Sequence, residues 1–166
     1  FLIIGLNNNN FRVGRKFLIC LLFGSLVLLG GIIYILSLTG VTNISSLASY
    51  YFSDKQAIIL FTILFIGLAL KSGLFPFHIW LPDAHTLAPT SASMLLSGVF
   101  LKVGCYGFLV LLLKILPRAC NEYSFVIYFC STCGVIYGSV LAYMQKDFKR
   151  MVAYTSIVHI SLITMG

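Results

Sequence analysis

Residues Leu70–Lys102 read LKSGLFPFHIWLPDAHTLAPTSASMLLSGVFLK. Two lysines, Lys71 and Lys102, sit at its ends inside otherwise apolar runs. Between them come His78, Asp83 and His85, and the prolines Pro76, Pro82 and Pro89. Charged and helix-breaking residues are costly at membrane depth, so their concentration in one stretch calls for a reason. The sequence on either side consists mainly of long apolar segments that would hold such a stretch inside a bilayer.

The totals support that setting. Of 166 residues, 60% are hydrophobic and only 9% charged, and the mean hydropathy is +1.02. A soluble domain carries about 25% charged residues, and one of this size has too small an interior for so much apolar side chain. A β-barrel would show strands of about ten residues alternating apolar and polar; these segments are continuously apolar and longer. The expected fold is all-α: a polytopic transmembrane helix bundle with a broken helix, forming a single membrane domain over residues 1–166. The net charge of +7 comes from basic residues flanking the apolar segments, where they set orientation, so the expected partner is the lipid bilayer and not nucleic acid. Cys20, Cys105, Cys130 and Cys133 lie within apolar runs and read as small hydrophobes. Cys130 and Cys133 have CxxC spacing but no second pair to complete a zinc site.

Working outward, Phe17–Leu38 is 22 residues without a charge, enough helix for about 33 Å, against a hydrocarbon layer of about 30 Å. Before it, Phe1–Leu6 is expected to end another span, with a polar, basic loop through Asn7–Lys16 between them. A second span is predicted at 56–75, ended or kinked by Pro76 and continuing, broken, to about residue 85. Further spans are predicted at 90–113, 123–144 and 151–166, with the basic loop Gln145–Arg150 before the last. Alternate loops fall on opposite sides. One side collects Arg12, Arg15, Lys16, Asp83, Lys146, Asp147, Lys149 and Arg150, net +4; the other collects Asp54, Lys55, Lys114, Arg118 and Glu122, net +1. The more basic side is expected inside, which in a mitochondrion is the matrix.

The candidate functional residues are those that are expensive where they stand. Lys102 lies about 18 Å along its predicted helix, near mid-membrane, where a lysine costs about 2.5–3.5 kcal/mol on insertion scales. Burial disfavours its ammonium and a nearby carboxylate favours it, so such a lysine can exchange a proton near neutral pH. Ser97, Gly98 and Tyr106 give it a partly polar face. Lys71 precedes Pro76, and the carbonyls freed by a kink can bind water or the ammonium itself. His78 and His85, seven residues apart, would share a face of an unbroken helix, and histidine passes protons at either ring nitrogen. Asp83 reads as a residue that ends the span at the surface. His159, with Thr155 and Ser156 four and three residues earlier, would form a polar stripe able to carry water, or a histidine satisfied by those hydroxyls. The chain has no glycine-rich phosphate loop after a strand, no nucleophile triad pattern, and no haem or iron–sulfur ligand pattern. Bases without a cofactor point to ion or proton movement.

KSGLFPFHIWLPDAHTLAPTSASMLLSGVFLKVGCYG and QKDFKRMVAYTSIVHISLITMG resemble two successive hallmarks of the antiporter-like membrane subunits of respiratory complex I, the NADH:ubiquinone oxidoreductase. Within that family the run D-A-H-x-x-A-P and L-K-V-G-x-Y-G are most similar to the subunit 4 branch. The resemblance implies an antiporter-like fold in the mitochondrial inner membrane and proton translocation coupled to electron transfer. It implies Lys71 as the lysine of the family's broken helix and Lys102 as that of the next helix, with His78, His85 and His159 along a hydrated axis. It also implies that NADH, FMN, iron–sulfur clusters and ubiquinone are handled by other subunits, with no cofactor in this chain. The family pairs its broken-helix lysine with a glutamate that has no counterpart here. The expectation is therefore a split subunit, in which a second chain supplies that glutamate and further helices, beside other membrane-arm subunits of complex I. The alternatives are a subunit of a cation/proton antiporter and a scaffold fragment without pumping.

Overall fold

The computed structural model describes residues 11–48 and 50–166, so the expected span end at Phe1–Leu6 and the asparagine run lie outside the described residues. The elements are α1 (Phe11–Thr39), α2 (Ile44–Leu47), α3 (Asp54–Ser72), α4 (Trp80–Leu87), α5 (Thr90–Leu113), α6 (Pro117–Glu122), α7 (Ser124–Met144) and α8 (Phe148–Met165). Among the described residues there is no strand. Four helices, α1, α3, α5 and α7, are long and apolar enough to cross a membrane. The chain is thus an all-helical bundle of transmembrane character. The shorter α8 was expected as a fifth span, but it carries Lys149, Arg150, Thr155, Ser156 and His159 and is not among the four.

Several helices begin earlier than their apolar runs. Nothing between Phe11 and Phe17 breaks a helix, so α1 already holds Arg12, Arg15 and Lys16 in its opening turns, where long basic side chains reach out to polar surroundings. Helix α3 starts at Asp54 because Ser53 and Gln56 form a capping box, each satisfying a backbone amide that the first turn leaves free. In the same way Phe148–Arg150, expected as loop, form the first turn of α8. Helix α5 is α-helical only in part: it widens to π-helix at Leu96–Phe100 and Phe108–Leu113, on both sides of the α-helical turns Leu101–Gly107 that hold Lys102.

The break comes earlier than proline predicts. Helix α3 stops at Ser72, and Gly73 takes a left-handed conformation (φ 70°), its amide bonded back to the Ala69 carbonyl. This is the glycine stop, available to a residue without Cβ. Pro76 follows, preceded by a cis peptide bond. The backbone between α3 and α4 is irregular, yet the chain itself takes several of its amides: Leu74 to Ala69, Phe77 to Leu74 at 2.7 Å, and Leu81 to His78 at 2.9 Å.

Contacts with neighbours set the depth of this break. Gly24, at the middle of the 29-residue α1, faces the end of α3: a Cβ there would lie 3.1 Å from Leu70 Cβ and 3.8 Å from the Lys71 amide nitrogen. Gly134, at the middle of the 21-residue α7, packs against Ser161 of α8 and also comes close to the break, with 3.3 Å between its would-be Cβ and Phe75 Cβ. Gly104, just past the middle of the 24-residue α5, abuts Ser72. The break therefore lies at half-height among three spanning helices, each offering a glycine where α3 ends. Helices α1 and α3 pack as one pair and α7 and α8 as another, with α4 and α5 between them. Trp80, Leu81 and Ala84 of α4 are buried, as are Leu60, Leu64 and Leu74.

The loops meet in the expected alternation. Arg118 donates a 2.7 Å hydrogen bond to the Tyr51 hydroxyl at one end of the bundle, while Lys16, Asp83 and Arg150 meet at the other.

A Cβ on Gly104 would stand 2.7 Å from Ser72 Cβ and 2.9 Å from its backbone, whereas one on Gly30 would meet nothing within 4 Å. Gly104→Val is expected to destabilise by about 1–3 kcal/mol through overpacking. Gly30→Ala is expected to be neutral or stabilising by up to about 1 kcal/mol through helix propensity. Thermal unfolding of the detergent-solubilised protein distinguishes the two.

Candidate functional site

Lys71 lies in the last turn of α3, where the unsatisfied carbonyl end of a helix favours a cation. It is half-buried and lines a cleft of about 440 Å³ with Ser25 and Leu28 of α1 and Val103, Tyr106 and Val110 of α5. Among the described residues it makes no ion pair: the acids of the chain are Asp54, Asp83, Glu122 and Asp147, and the one engaged in ion pairs, Asp83, is taken by Lys16 and Arg150.

Lys102 is on an exposed face of α5. It too has no ion pair among the described residues. Tyr106 stands one turn further along the same helix, on the Lys102 side, and also lines the Lys71 cleft.

His78 is buried within the break, its ring 5.6 Å from that of Phe75 and 5.0 Å from that of Tyr137 in α7. His85 is buried in α4, and its carbonyl accepts a 3.3 Å hydrogen bond from the Ser93 hydroxyl. Because His78 precedes α4 and His85 lies within it, the two do not share one continuous helical face. Their environments nonetheless have a common feature. His78 Nδ1, Trp80 Nε1 and His85 Nε2 are buried and have no hydrogen-bond partner in the structure. Buried polar atoms are nearly always satisfied, by protein or by ordered water, so three such atoms between residues 78 and 85 mark a polar line through an apolar bundle.

His159 is exposed on α8. The hydroxyls expected beside it turn back onto their own helix: Thr155 and Ser156 both donate to the Val152 carbonyl, at 2.8 Å and 3.0 Å, the usual local bond of Ser and Thr in helices. Lys71 thus lies in the turn before the break, His78 within it and His85 in the helix after it, whereas Lys102 and His159 stand on outward faces. Among the described residues no three of His, Cys, Asp and Glu come together as a metal site would require.

Asp83 differs from its expected place as a surface terminator. It is only a quarter exposed and bonds Arg150 Nη2 through Oδ1 at 3.1 Å and Lys16 Nζ through Oδ2 at 3.5 Å. The basic residues before α8 are likewise more than an orientation signal, since Lys149 Nζ donates to the Ala88 carbonyl at 3.2 Å. Sequence reasoning also missed Tyr137 and the two π-helical segments. An aromatic residue in a span and a run of apolar residues carry no mark of these roles. The charge signs of Asp83, Lys16 and Arg150 on one side of the chain were a signal that could have found the first of them.

The family model for the transmembrane region of the NADH:quinone oxidoreductase/Mrp antiporter proteins matches residues 1–166. The NADH-quinone oxidoreductase subunit M of Rickettsia bellii is 41% identical over 170 residues, covering 100% of this chain and 34% of that protein. The NADH-ubiquinone oxidoreductase chain 4 of Arabidopsis thaliana is 37% identical over 169 residues, covering 100% of this chain and again 34% of the relative. The chain thus spans about a third of the length of the curated relatives it matches. Among solved structures, respiratory complex I from Thermus thermophilus with bound NADH contains a chain that superposes with a TM-score of 0.86 at 25% identity, covering 97% of this chain and 35% of that one. On the full-length match of the family model and the shared arrangement of helices, the chain belongs to the NADH:quinone oxidoreductase/Mrp antiporter transmembrane family.

Proposed function

We propose that these residues form part of a proton-translocating membrane subunit of respiratory complex I, the H⁺-translocating NADH:ubiquinone oxidoreductase, in the mitochondrial inner membrane. The observation that carries this reading is the helix break at half-height. It combines a lysine at a helix terminus with two buried histidines, each with one ring nitrogen, His78 Nδ1 and His85 Nε2, that lacks a hydrogen-bond partner. Water readily completes such buried polar sites, and imidazoles joined by water transfer protons without a redox cofactor. In this reading Lys71 is the charge-sensitive end of the route, and His78 and His85 carry protons toward the basic end of the bundle. Lys102 and His159 continue the route toward neighbouring segments. A carboxylate contributed from outside the described residues acts as the counter-charge of Lys71. Its approach holds the ammonium and its withdrawal releases the proton, since a nearby negative charge stabilises the charged form and burial opposes it. NADH, FMN, iron–sulfur clusters and ubiquinone belong to partner subunits of the same assembly. The relatives named for chain 4 and subunit M support the choice of complex I over a stand-alone antiporter.

Replacing Lys71 or Lys102 with Met removes the titrating group and keeps the length of the side chain. Each variant is expected to assemble and to lose proton translocation driven by NADH oxidation, the rate falling roughly tenfold or more, equivalent to about 1.4 kcal/mol on the barrier. Vesicles reporting interior pH during NADH:quinone turnover make the measurement. Unchanged pumping in both variants would leave a scaffold role. A second check is the company the protein keeps. Purification with flavin- and iron–sulfur-bearing subunits is expected, while cation/proton exchange by the chain's own assembly without NADH would favour the antiporter reading.

A further inference from the structure

The contacts of Asp83 go beyond what the proton route itself requires. Helix α4 has eight residues, too few for a stable helix in isolation. Its N-cap, Ile79, makes no side-chain capping bond. Its buried face, Trp80, Leu81 and Ala84, packs into the bundle, and ionic contacts add to that packing on its outer side. Asp83, in the first turn of α4, gives one carboxylate oxygen to Arg150 in the first turn of α8 and the other to Lys16 in α1. At the far end of α4, Lys149 donates to the carbonyl of its C-cap, Ala88. Arg150 makes this contact with Asp83, 67 positions away in sequence, although Asp147 stands at the N-cap of its own helix. In the same helix Trp80 is buried against Phe17 of α1 at 5.4 Å between rings, and His85 follows Asp83 by two residues.

We propose that Asp83 is a positioning residue: by bridging Lys16 and Arg150 it locks α4 between α1 and α8 and so holds His78 and His85 in their buried places. The proposal rests on the reading of those histidines as part of a proton route. In it Asp83 does not itself touch the transferred proton. The carboxylate is held by two cations and acts through the backbone it anchors.

The test uses the intact membrane complex with Asp83→Asn, Arg150→Gln, and the full charge swap Asp83→Arg with both Lys16→Asp and Arg150→Asp. Two quantities are read beside the amount assembled and the electron-transfer rate: hydrogen exchange of the peptide covering 79–88, and protons translocated per electron pair. The single variants are expected to exchange this peptide roughly tenfold faster and to translocate fewer protons per electron pair. The swap is expected to return most of both, which a loss of bulk packing would not allow. Unchanged exchange in the single variants, no recovery in the swap, or faster exchange with unaltered proton yield each overturns the proposal. If Asp83→Asn does not assemble, Lys16→Gln, which removes one of the two cations, must raise the exchange of the same peptide; failure to do so also overturns it. The exchange result is independent of pumping. Unchanged exchange removes the anchor and leaves the proton route standing, whereas intact pumping in Lys71→Met and Lys102→Met removes the route and leaves the anchor measurable.

Discussion

An interrupted helix at half-height in a membrane needs its backbone polar groups satisfied by protein or by enclosed water, because lipid offers no partner. Much of the structure serves that requirement. Gly73 ends α3 by bonding back to Ala69, and the turns at Leu74, Phe77 and Leu81 satisfy the amides that follow. The neighbours approach through Gly24, Gly104 and Gly134, where a larger residue would stand in the way of Leu70, Ser72 and Phe75. The close approach buries Ser72, Leu74 and His78, while Pro76 and Ile79 of the same segment stay exposed; burial against protein is what allows polar side chains to remain there.

Once the break exists, its electrostatics follow. The carbonyl end of α3 makes half-height a tolerable place for the ammonium of Lys71, and the cleft beside it reaches Tyr106 on the helix that carries Lys102. Below the break, His78 Nδ1, Trp80 Nε1 and His85 Nε2 are buried polar atoms that have no hydrogen-bond partner among the described residues. At the basic end, Asp83, Lys16, Lys149 and Arg150 close the line with ionic contacts. A lysine, two imidazoles and an ion cluster in sequence describe a graded path from apolar centre to polar surface. The same segments that make the fold unusual are those the proposed proton route uses.

Much of this was legible in the sequence because the membrane imposes simple rules. Continuous apolar runs announced α1, α3, α5 and α7, and the lysines, histidines and prolines of residues 70–102 announced that one helix would be interrupted. What was hidden depends on tertiary contact. Pro76 was the conspicuous breaker, yet Gly73 ends the helix three residues earlier, since a left-handed cap is available wherever a glycine follows the last turn. The π-helical segments around Lys102 leave no trace in composition. Thr155 and Ser156 share a face with His159, but each hydroxyl has a nearer acceptor in its own helix. Asp83 looked like a terminus because its partners lie 67 residues away in either direction: Lys16 before it and Arg150 after it.

The central claim is that water reaches the break at half-height. Hydroxyl-radical labelling of the membrane-embedded complex, with the radicals generated from water in place, tests it most directly. Modification requires water beside the side chain. Labelling of His78 and Trp80, with Phe61 and Phe65 of the adjoining apolar core unmodified, is the result predicted. Labelling of His78 and Trp80 no greater than that of Phe61 and Phe65 would contradict the account.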